Sequence, residues 1–349
     1  MLAEFKTATW KLLADAYYYS GLAHIRNRGR VAILTYHRVV SDDMVRAEHI
    51  QPGMYVRTES FEAHATYLRE RFVVLPLASL LELWRTDGLD SDKRYCVITF
   101  DDGWHDNYRY AFPVLKKYGL PATIFLATDY IGTSRWFWPD ELAYVLGCAR
   151  EQTTEGDFAR SLANALAGRS SADGATMPVL PPSTESNGQI DSDRLIEQCK
   201  HLPSETVAGF VHRLSQVLGV RLPNLRVLLD WNEVKEMAKH NITFGAHSCS
   251  HRILTNIPLA EVEDELIKSR EALQKHDLAP VPVFCYPNGN FDPEVQRLTK
   301  ATGYLGAVGC EIGLENEKPE DVFALKRISI HEDAAASDPL FALTLSGLR

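Results

Sequence analysis

Short apolar runs punctuate this chain, several of them closed by polar residues able to do chemistry. Val31-Ala-Ile-Leu-Thr35 runs into Tyr36-His37, and Tyr95-Cys-Val-Ile-Thr-Phe100 runs into Asp101-Asp102-Gly103. Ala122 to Ala127, Ile242 to Ala246, Val281 to Tyr286, Ala307 to Cys310 and Lys326 to His331 follow. Runs this short, without polar alternation, fit strands buried on both faces. Helical spacing fills the intervals at Ser60 to Arg71, Leu77 to Trp84, Asn107 to Tyr118, Trp231 to His240, Leu259 to His276 and Pro293 to Thr302. Strand and helix in alternation are the grammar of a parallel sheet, so the expected class is α/β.

The alternation lapses from about 133 to 229. Asp140 to Glu151, Phe158 to Ala167, Asp193 to His201 and Ser204 to Gly219 read as helices, and Ser170 to Asp193, rich in Ser, Pro, Gly and Asn, reads as a mobile loop. The expectation is a helical insertion, about 133–229, within one domain spanning 31–349. Ahead of it, residues 1–30 read as an amphipathic N-terminal helix, with Leu2, Phe5, Trp10, Leu13, Tyr17 and Leu22 near helical spacing. That helix either packs on the domain or, given Lys6, Lys11, Arg26, Arg28 and Arg30, makes peripheral contact with a membrane. Charged residues interrupt it too often for a secretory leader, so a cytoplasmic location is expected, membrane-peripheral only if the second alternative holds.

The net charge of −9 would repel phosphates, which argues against a nucleic-acid partner. Six cysteines in 349 residues form no CxxC pair, so free thiols are expected.

Three polar groups stand just beyond expected strands: Asp101-Asp102, His247-Ser-Cys-Ser-His251 and Asn288-Gly289-Asn290. In parallel α/β folds the C-terminal strand ends share one rim, where distant residues converge. Histidines four apart can share a divalent cation, and a carboxylate from the acid pair would complete a His-His-Asp set with positions left open. Taken alone, such a histidine pair is often two plain surface residues. Two adjacent acids after an apolar strand either cap a turn at Asp102-Gly103 or divide the labour, one binding the cation and one acting as general base.

Thr99-Phe-Asp-Asp-Gly103 and His247-Ser-Cys-Ser-His251 resemble the first two motifs of the polysaccharide deacetylases, the NodB-homology or carbohydrate esterase family 4 enzymes. Those motifs read Ser/Thr-Phe-Asp-Asp-Gly and His-Ser/Thr-x-x-His. Phe284-Cys-Tyr-Pro-Asn-Gly289 resembles the third, usually Phe-Arg-Pro-Pro-Tyr-Gly. Leu34-Thr-Tyr-His-Arg-Val39 is similar to the Tyr-His-x-Val opening of the exopolysaccharide-modifying branch. The likeness covers about residues 31–130 and 230–335.

The resemblance implies a distorted (β/α) barrel of about seven strands and a hydrolase that removes acetyl groups from N-acetylated amino sugars. The substrate would be a surface polysaccharide, glycolipid or nucleotide-sugar precursor. By the same resemblance Asp102, His247 and His251 hold the metal, Asp101 is the general base, the Asn288 backbone N–H stabilises the oxyanion, and His331 is the general acid. By donor type the metal is expected to be Zn²⁺, with Co²⁺, Ni²⁺ or Mn²⁺ also suited.

Cys285 stands where the family has the Arg that positions the base, and a thiol cannot replace that charge. Arg327 is the candidate substitute, and Cys249, inside the histidine motif, is read as a bystander. His37 on the same rim is a candidate substrate contact or support. Trp104, Trp136 and Trp138 either stack on a sugar ring or pack internally. The rival readings are an O-acetyl carbohydrate esterase on the same scaffold and a catalytically silent glycan-binding homologue. A Mg²⁺ phosphoryl-transfer site is disfavoured by the two histidines.

Overall fold

The computed structural model describes residues 2–167 and 192–348, so the loop expected at Ser170 to Asp193 lies, as far as residue 191, outside the described residues. Among the described residues ten strands form: β1 (Val31–Tyr36), β2 (Arg38–Val40), β3 (Tyr55–Arg57), β4 (Val73–Val74), β5 (Tyr95–Phe100), β6 (Ala122–Leu126), β7 (Ile242–Ala246), β8 (Val283–Cys285), β9 (Gly306–Ile312) and β10 (Leu325–Ser329). Seven of them close into a parallel barrel in the order β1-β10-β9-β8-β7-β6-β5, with β5 pairing back to β1 from Val31↔Tyr95 to Tyr36↔Phe100. The short β4 pairs with Tyr95 and Cys96 at the start of β5, while β6 pairs with Thr99 and Phe100 at its end. The expected seven-stranded distorted barrel is what the chain forms, with one added edge strand.

Why these runs make a barrel follows from their burial. Every residue of β1 and of β5 is buried, which needs one face on the barrel interior and the other under helices. Side chains alternate across a strand, and Val31, Ile33, Tyr95, Val97, Val283, Cys285, Val308 and Leu325 join one apolar cluster, together with Leu77 and Leu80 from helix Leu77–Arg85. The same alternation carries β5 onward from Val97 to Thr99 and Asp101, and β10 from Leu325 to Arg327. The barrel interior therefore changes from apolar to charged toward the C-terminal strand ends.

Helix Thr58–Arg71 covers the outside with Phe61, His64, Ala65, Tyr67 and Leu68 buried, an i, i+3, i+4 set. His64 is 1% exposed and stacked on Phe341 at 3.9 Å. Its Nε2 N–H donates to the Ala335 carbonyl at 2.7 Å, leaving Nδ1 to accept from the Tyr36 hydroxyl at 3.3 Å. Burial, partly offset by the Ala335 bond and the charge of Glu332, lowers its pKa from 6.5 to about 4. A histidine held neutral in the fold stabilises fully above its unfolded pKa, and that stability is lost as pH falls from about 6.5 toward 4. Chemical denaturation at pH 7 and pH 5 should show a loss of about 2 kcal/mol from this group. A His64→Leu variant should lose that much less; an equal loss in both proteins would contradict it.

The chain divides into two compact units. One comprises Met1–Ser41, Pro52–Thr133 and Arg226–Arg349 and contains the barrel; the other comprises Asp42–Gln51 and Ser134–Leu225. The second unit has its own core, in which Leu142, Val145, Leu146, Phe158, Ile196, Phe210 and Leu214 are buried. Its helices Trp138–Gln152, Glu155–Ala167, Ser192–Cys199 and Ser204–Leu218 lie close to the helical segments expected there. Asp42–Glu48 adds a helix that sequence reasoning did not anticipate. Among the described residues no helix is long and apolar enough to cross a membrane.

Candidate active site

Three loops at the C-terminal strand ends supply the polar residues, and all three use backbone conformations that side chains resist. Among the described residues, four of the eight non-glycine residues with positive φ lie in them: Asp102 (76°), Ser248 (61°), His251 (57°) and Asn288 (56°). Left-handed backbone costs about 1 kcal/mol or more per residue, and it persists where the surroundings impose it. Gly103 and Gly289 continue the turns at 85° and 73°, and a Cβ on Gly289 would overlap Cys310.

The turn after β5 starts as the Asp101 N–H donates to the Tyr36 carbonyl at 3.0 Å, extending the β1–β5 register by one residue. The positive φ at Asp102 then sends the two carboxylates into different surroundings. Asp101, 3% exposed, points into the barrel, where Arg327 grips it with two bonds, Nη1 to Oδ1 at 2.8 Å and Nη2 to Oδ2 at 2.7 Å. Arg327 is itself 2% exposed and anchored through Nε to the Gly309 carbonyl at 2.8 Å. Its Nη2 stands 3.5 Å from the Cys285 sulfur. Burial raises the Asp101 carboxyl, but the Arg327 charge and hydrogen bonds outweigh it and hold the group below the ordinary carboxylate range.

Asp102, 4% exposed, faces the histidines. Its Oδ1 lies 3.4 Å from His247 Nε2 and 3.2 Å from His251 Nε2, and the two rings stand 4.9 Å apart at 62°. The other oxygen, Oδ2, accepts the Trp104 indole N–H at 2.9 Å. Burial again opposes ionisation, yet hydrogen bonds from the two imidazoles carry the Asp102 pKa well below its usual value.

His247 turns Nδ1 to the Cys285 carbonyl at 2.8 Å, which aims Nε2 at Asp102. One carboxylate oxygen and two imidazole nitrogens, all within 4.8 Å of one another, make a donor set that fits a borderline divalent cation and leaves room for further ligands. A hydrogen bond on the far ring nitrogen is the usual support for such a histidine.

Two supporting networks hold these residues. Arg38 of β2 lies 4.4 Å above the Trp104 ring and is paired through Nε with Asp106 at 2.8 Å. Behind the histidine loop, the buried Glu265 of helix Leu259–Lys275 accepts the Cys249 and Ser250 N–H groups at 2.7 and 3.0 Å, the Ser250 hydroxyl, and Arg252 at 3.1 Å. The Ser248 hydroxyl accepts the His251 N–H at 2.9 Å.

Of the residues named from sequence, Asp101, Asp102, His247, His251 and Arg327 come together. Trp104 does not offer a ring face: it is 1% exposed, so the stacking expectation fails on burial, and the indole instead bonds Asp102. Trp136 is buried and donates to the Leu225 carbonyl, and Trp138 packs on the helical unit's core. Cys249 is buried with its sulfur turned to the Glu265 carbonyl at 3.8 Å, and it is not among the donors grouped with Asp102, His247 and His251.

His37 and His331 follow β1 and β10, which pair at Thr35↔Ser329, so both stand on the same rim. His331 is not strand; it starts helix Glu332–Ala335. His37 is close enough for its charge to lower Asp101 and Asp102. Asn288 opens an exposed turn in which Gly289 N–H bonds the Tyr286 carbonyl and Asn290 N–H the Pro287 carbonyl. Its side chain reaches Asn290 Oδ1 at 2.5 Å.

The family model for polysaccharide deacetylase matches residues 88–156 and 196–307, more than half of the chain. A Bacillus subtilis protein named as a polysaccharide deacetylase, YxkH, is 21% identical over 308 residues, covering 88% of this chain and 74% of that protein. The poly-beta-1,6-N-acetyl-D-glucosamine N-deacetylase of Staphylococcus epidermidis is 52% identical over 44 residues, 13% of this chain and 15% of its own. Among solved structures, the Streptococcus pyogenes deacetylase PplD in complex with acetate aligns at a TM-score of 0.57 and 16% identity, covering 90% of this chain and 98% of that one. IcaB from Ammonifex degensii aligns at 0.53 and 15%, covering 92% and 98%. Those two likenesses concern the fold; with the family model matched over more than half of the chain, across all three polar strand-end groups, the chain belongs to the polysaccharide deacetylase family.

Proposed function

We propose that the chain removes acetyl groups from N-acetylated amino sugars of a glycan, with Asp102, His247 and His251 holding a divalent cation and Asp101 acting as general base. The observation that carries this reading is the divergence of two adjacent carboxylates: one is clamped by a guanidinium, the other is surrounded by imidazole and indole nitrogens. Neighbouring acids in one environment would repel each other; here each has a separate counter-charge and a separate task. The S. epidermidis relative, named for N-deacetylation of a glucosamine polymer, supports the substrate class.

A bound cation would polarise the acetyl carbonyl and acidify water, the chemistry an Asp-His-His set with open positions supplies. Asp102 stays ionised across neutral pH because the imidazoles hold it so. Asp101, also ionised, takes the proton from attacking water, and Arg327 fixes the carboxylate's orientation while it does. The Asn288 N–H is taken up by neither hydrogen bond of its turn, so it can donate to the oxygen that gains charge as the carbonyl becomes tetrahedral.

The departing amine needs a proton. The family resemblance gives that role to His331, which starts helix Glu332–Ala335 on the same rim as His37, and we assign the proton to His331. His331→Ala should lower kcat about a hundredfold, with His37→Ala within a few-fold of the parent. The reverse ranking would move the role to His37.

The Asp101–Arg327 pair also bears on the silent-homologue reading. The missing third-motif arginine favours that reading, but a guanidinium stands against Asp101 from another strand. The esterase rival separates on substrate. Acetate and free amine should appear in equal amounts from N-acetylglucosamine oligomers, tested with β-1,6 and β-1,4 linkages. Acetate released from O-acetylated sugars alone would overturn the assignment.

Support for the cation set is testable apart from turnover. Trp104→Phe keeps the ring but removes the bond to Asp102, so Zn²⁺ should bind about tenfold or more weakly by calorimetric titration. An unchanged affinity would mean that the indole only packs.

A further inference from the structure

Helix Leu2–Tyr19 has two apolar sides. Successive residues turn by about 100°, which puts Ala14 and Tyr17 on one side, both buried, and the helix packs against Asp338–Thr344. Leu12, Ala16 and Tyr19 fall on the other. Leu12 is 71% exposed, Tyr19 78% and Leu13, at the border, 52%. The short helix Leu22–Arg26 repeats the pattern, with Ala23 buried and Leu22 and Ile25 exposed. Five of the twelve exposed large apolar side chains among the described residues thus lie between positions 12 and 25. One packed face satisfies the fold, and the outer face contributes nothing to it.

Charge indicates what the outer face meets. Lys11, Arg26, Arg28 and Arg30 are exposed in the same stretch of chain, against the single carboxylate of Asp15 within residues 9–30, in a chain whose net charge is −9. Arg28 and Arg30 also line an open pocket of about 520 Å³ with Lys318, Asp87 and Glu317. A second copy meeting the same face would oppose arginine to arginine. Exposed leucine, isoleucine and tyrosine in a segment that also carries four exposed cations instead match an interfacial anchor.

We propose that the outer face of residues 9–30 docks on an anionic lipid surface, leucine, isoleucine and tyrosine entering the interface while the arginines meet phosphate headgroups. Near such a surface each cation strengthens attachment about fivefold, and salt weakens it.

Co-sedimentation with phosphatidylcholine vesicles, with and without phosphatidylglycerol, tests this on the full chain. Binding should require phosphatidylglycerol and fall as salt rises. It should weaken about tenfold or more in Leu12→Glu/Tyr19→Glu and in Arg28→Glu/Arg30→Glu. Both variants substitute exposed positions and should release acetate from a soluble oligomer at the parent rate. Absence of binding, equal binding to neutral vesicles, or binding unchanged in both variants would overturn the proposal. So would a concentration-dependent dimer that Leu12→Glu/Tyr19→Glu abolishes in place of lipid attachment.

Discussion

Asp101→Asn should lower kcat about a thousandfold while the protein keeps its full complement of bound metal. The substitution retains the shape of the side chain and one acceptor for Arg327, but an amide cannot take a proton from water. The proposed cation donors, Asp102, His247 and His251, are untouched. Asp102→Asn should act in the opposite way, because the Oδ1 shared by both imidazoles at 3.2 and 3.4 Å loses its charge, and metal content should fall with activity. Metal analysis beside single-turnover kinetics reads both effects. An Asp101→Asn protein that turns over within a few-fold of the parent would place the base elsewhere, and one that loses its metal would make Asp101 a donor.

Arg327→Ala is expected to cost both stability and rate. Removing one partner of a buried ion pair leaves the other uncompensated, which costs about 3 to 5 kcal/mol. Here the stranded charge would be Asp101, 3% exposed at the top of an apolar barrel interior. Asp101 would then lose its fixed orientation, and burial would raise its pKa unopposed, so the acid limb of the pH–rate profile should move upward in pH. A merely structural arginine would lower the denaturation midpoint without moving that limb.

The 3.5 Å contact between Arg327 and the Cys285 sulfur supplies a second arm. Cys285→Arg in the Arg327→Ala background puts a guanidinium back beside Asp101 from the neighbouring strand, in the volume the first substitution vacates. It should recover much of the lost kcat. Unchanged kcat in a folded Arg327→Ala protein would remove the positioning role, and failure of the double variant to recover would mean that the two strand positions are not equivalent.

The fold was legible wherever burial on two faces left an unbroken apolar run, as in β1, β5, β6 and β7. It was less legible where a strand of two or three residues is not part of a longer apolar run. Arg38–Val40, Tyr55–Arg57 and Val73–Val74 are too short to show a period and exist because a neighbour pairs with them. The site was legible through residues beyond strand ends, since only a parallel topology makes such distant groups neighbours.

The surrounding residues were harder to read. Trp104 carries no sign in sequence that separates a stacking ring from an indole donor; burial decides it. Glu265 did leave a signal. It falls on the buried side of its helix with Val262, Leu266, Ser269 and Leu273, and a carboxylate at such a position must find donors. His64 resembles it in being a polar residue in an apolar stripe, satisfied by Ala335 and Tyr36.

The most direct test is acetate release from N-acetylglucosamine oligomers by metal-stripped protein as Zn²⁺ is added back. Release should be absent at the start, rise with added metal and level off at one equivalent per chain. Full release by the stripped protein, or none at any loading of a folded chain, would contradict a metal-dependent deacetylase built on Asp102, His247 and His251.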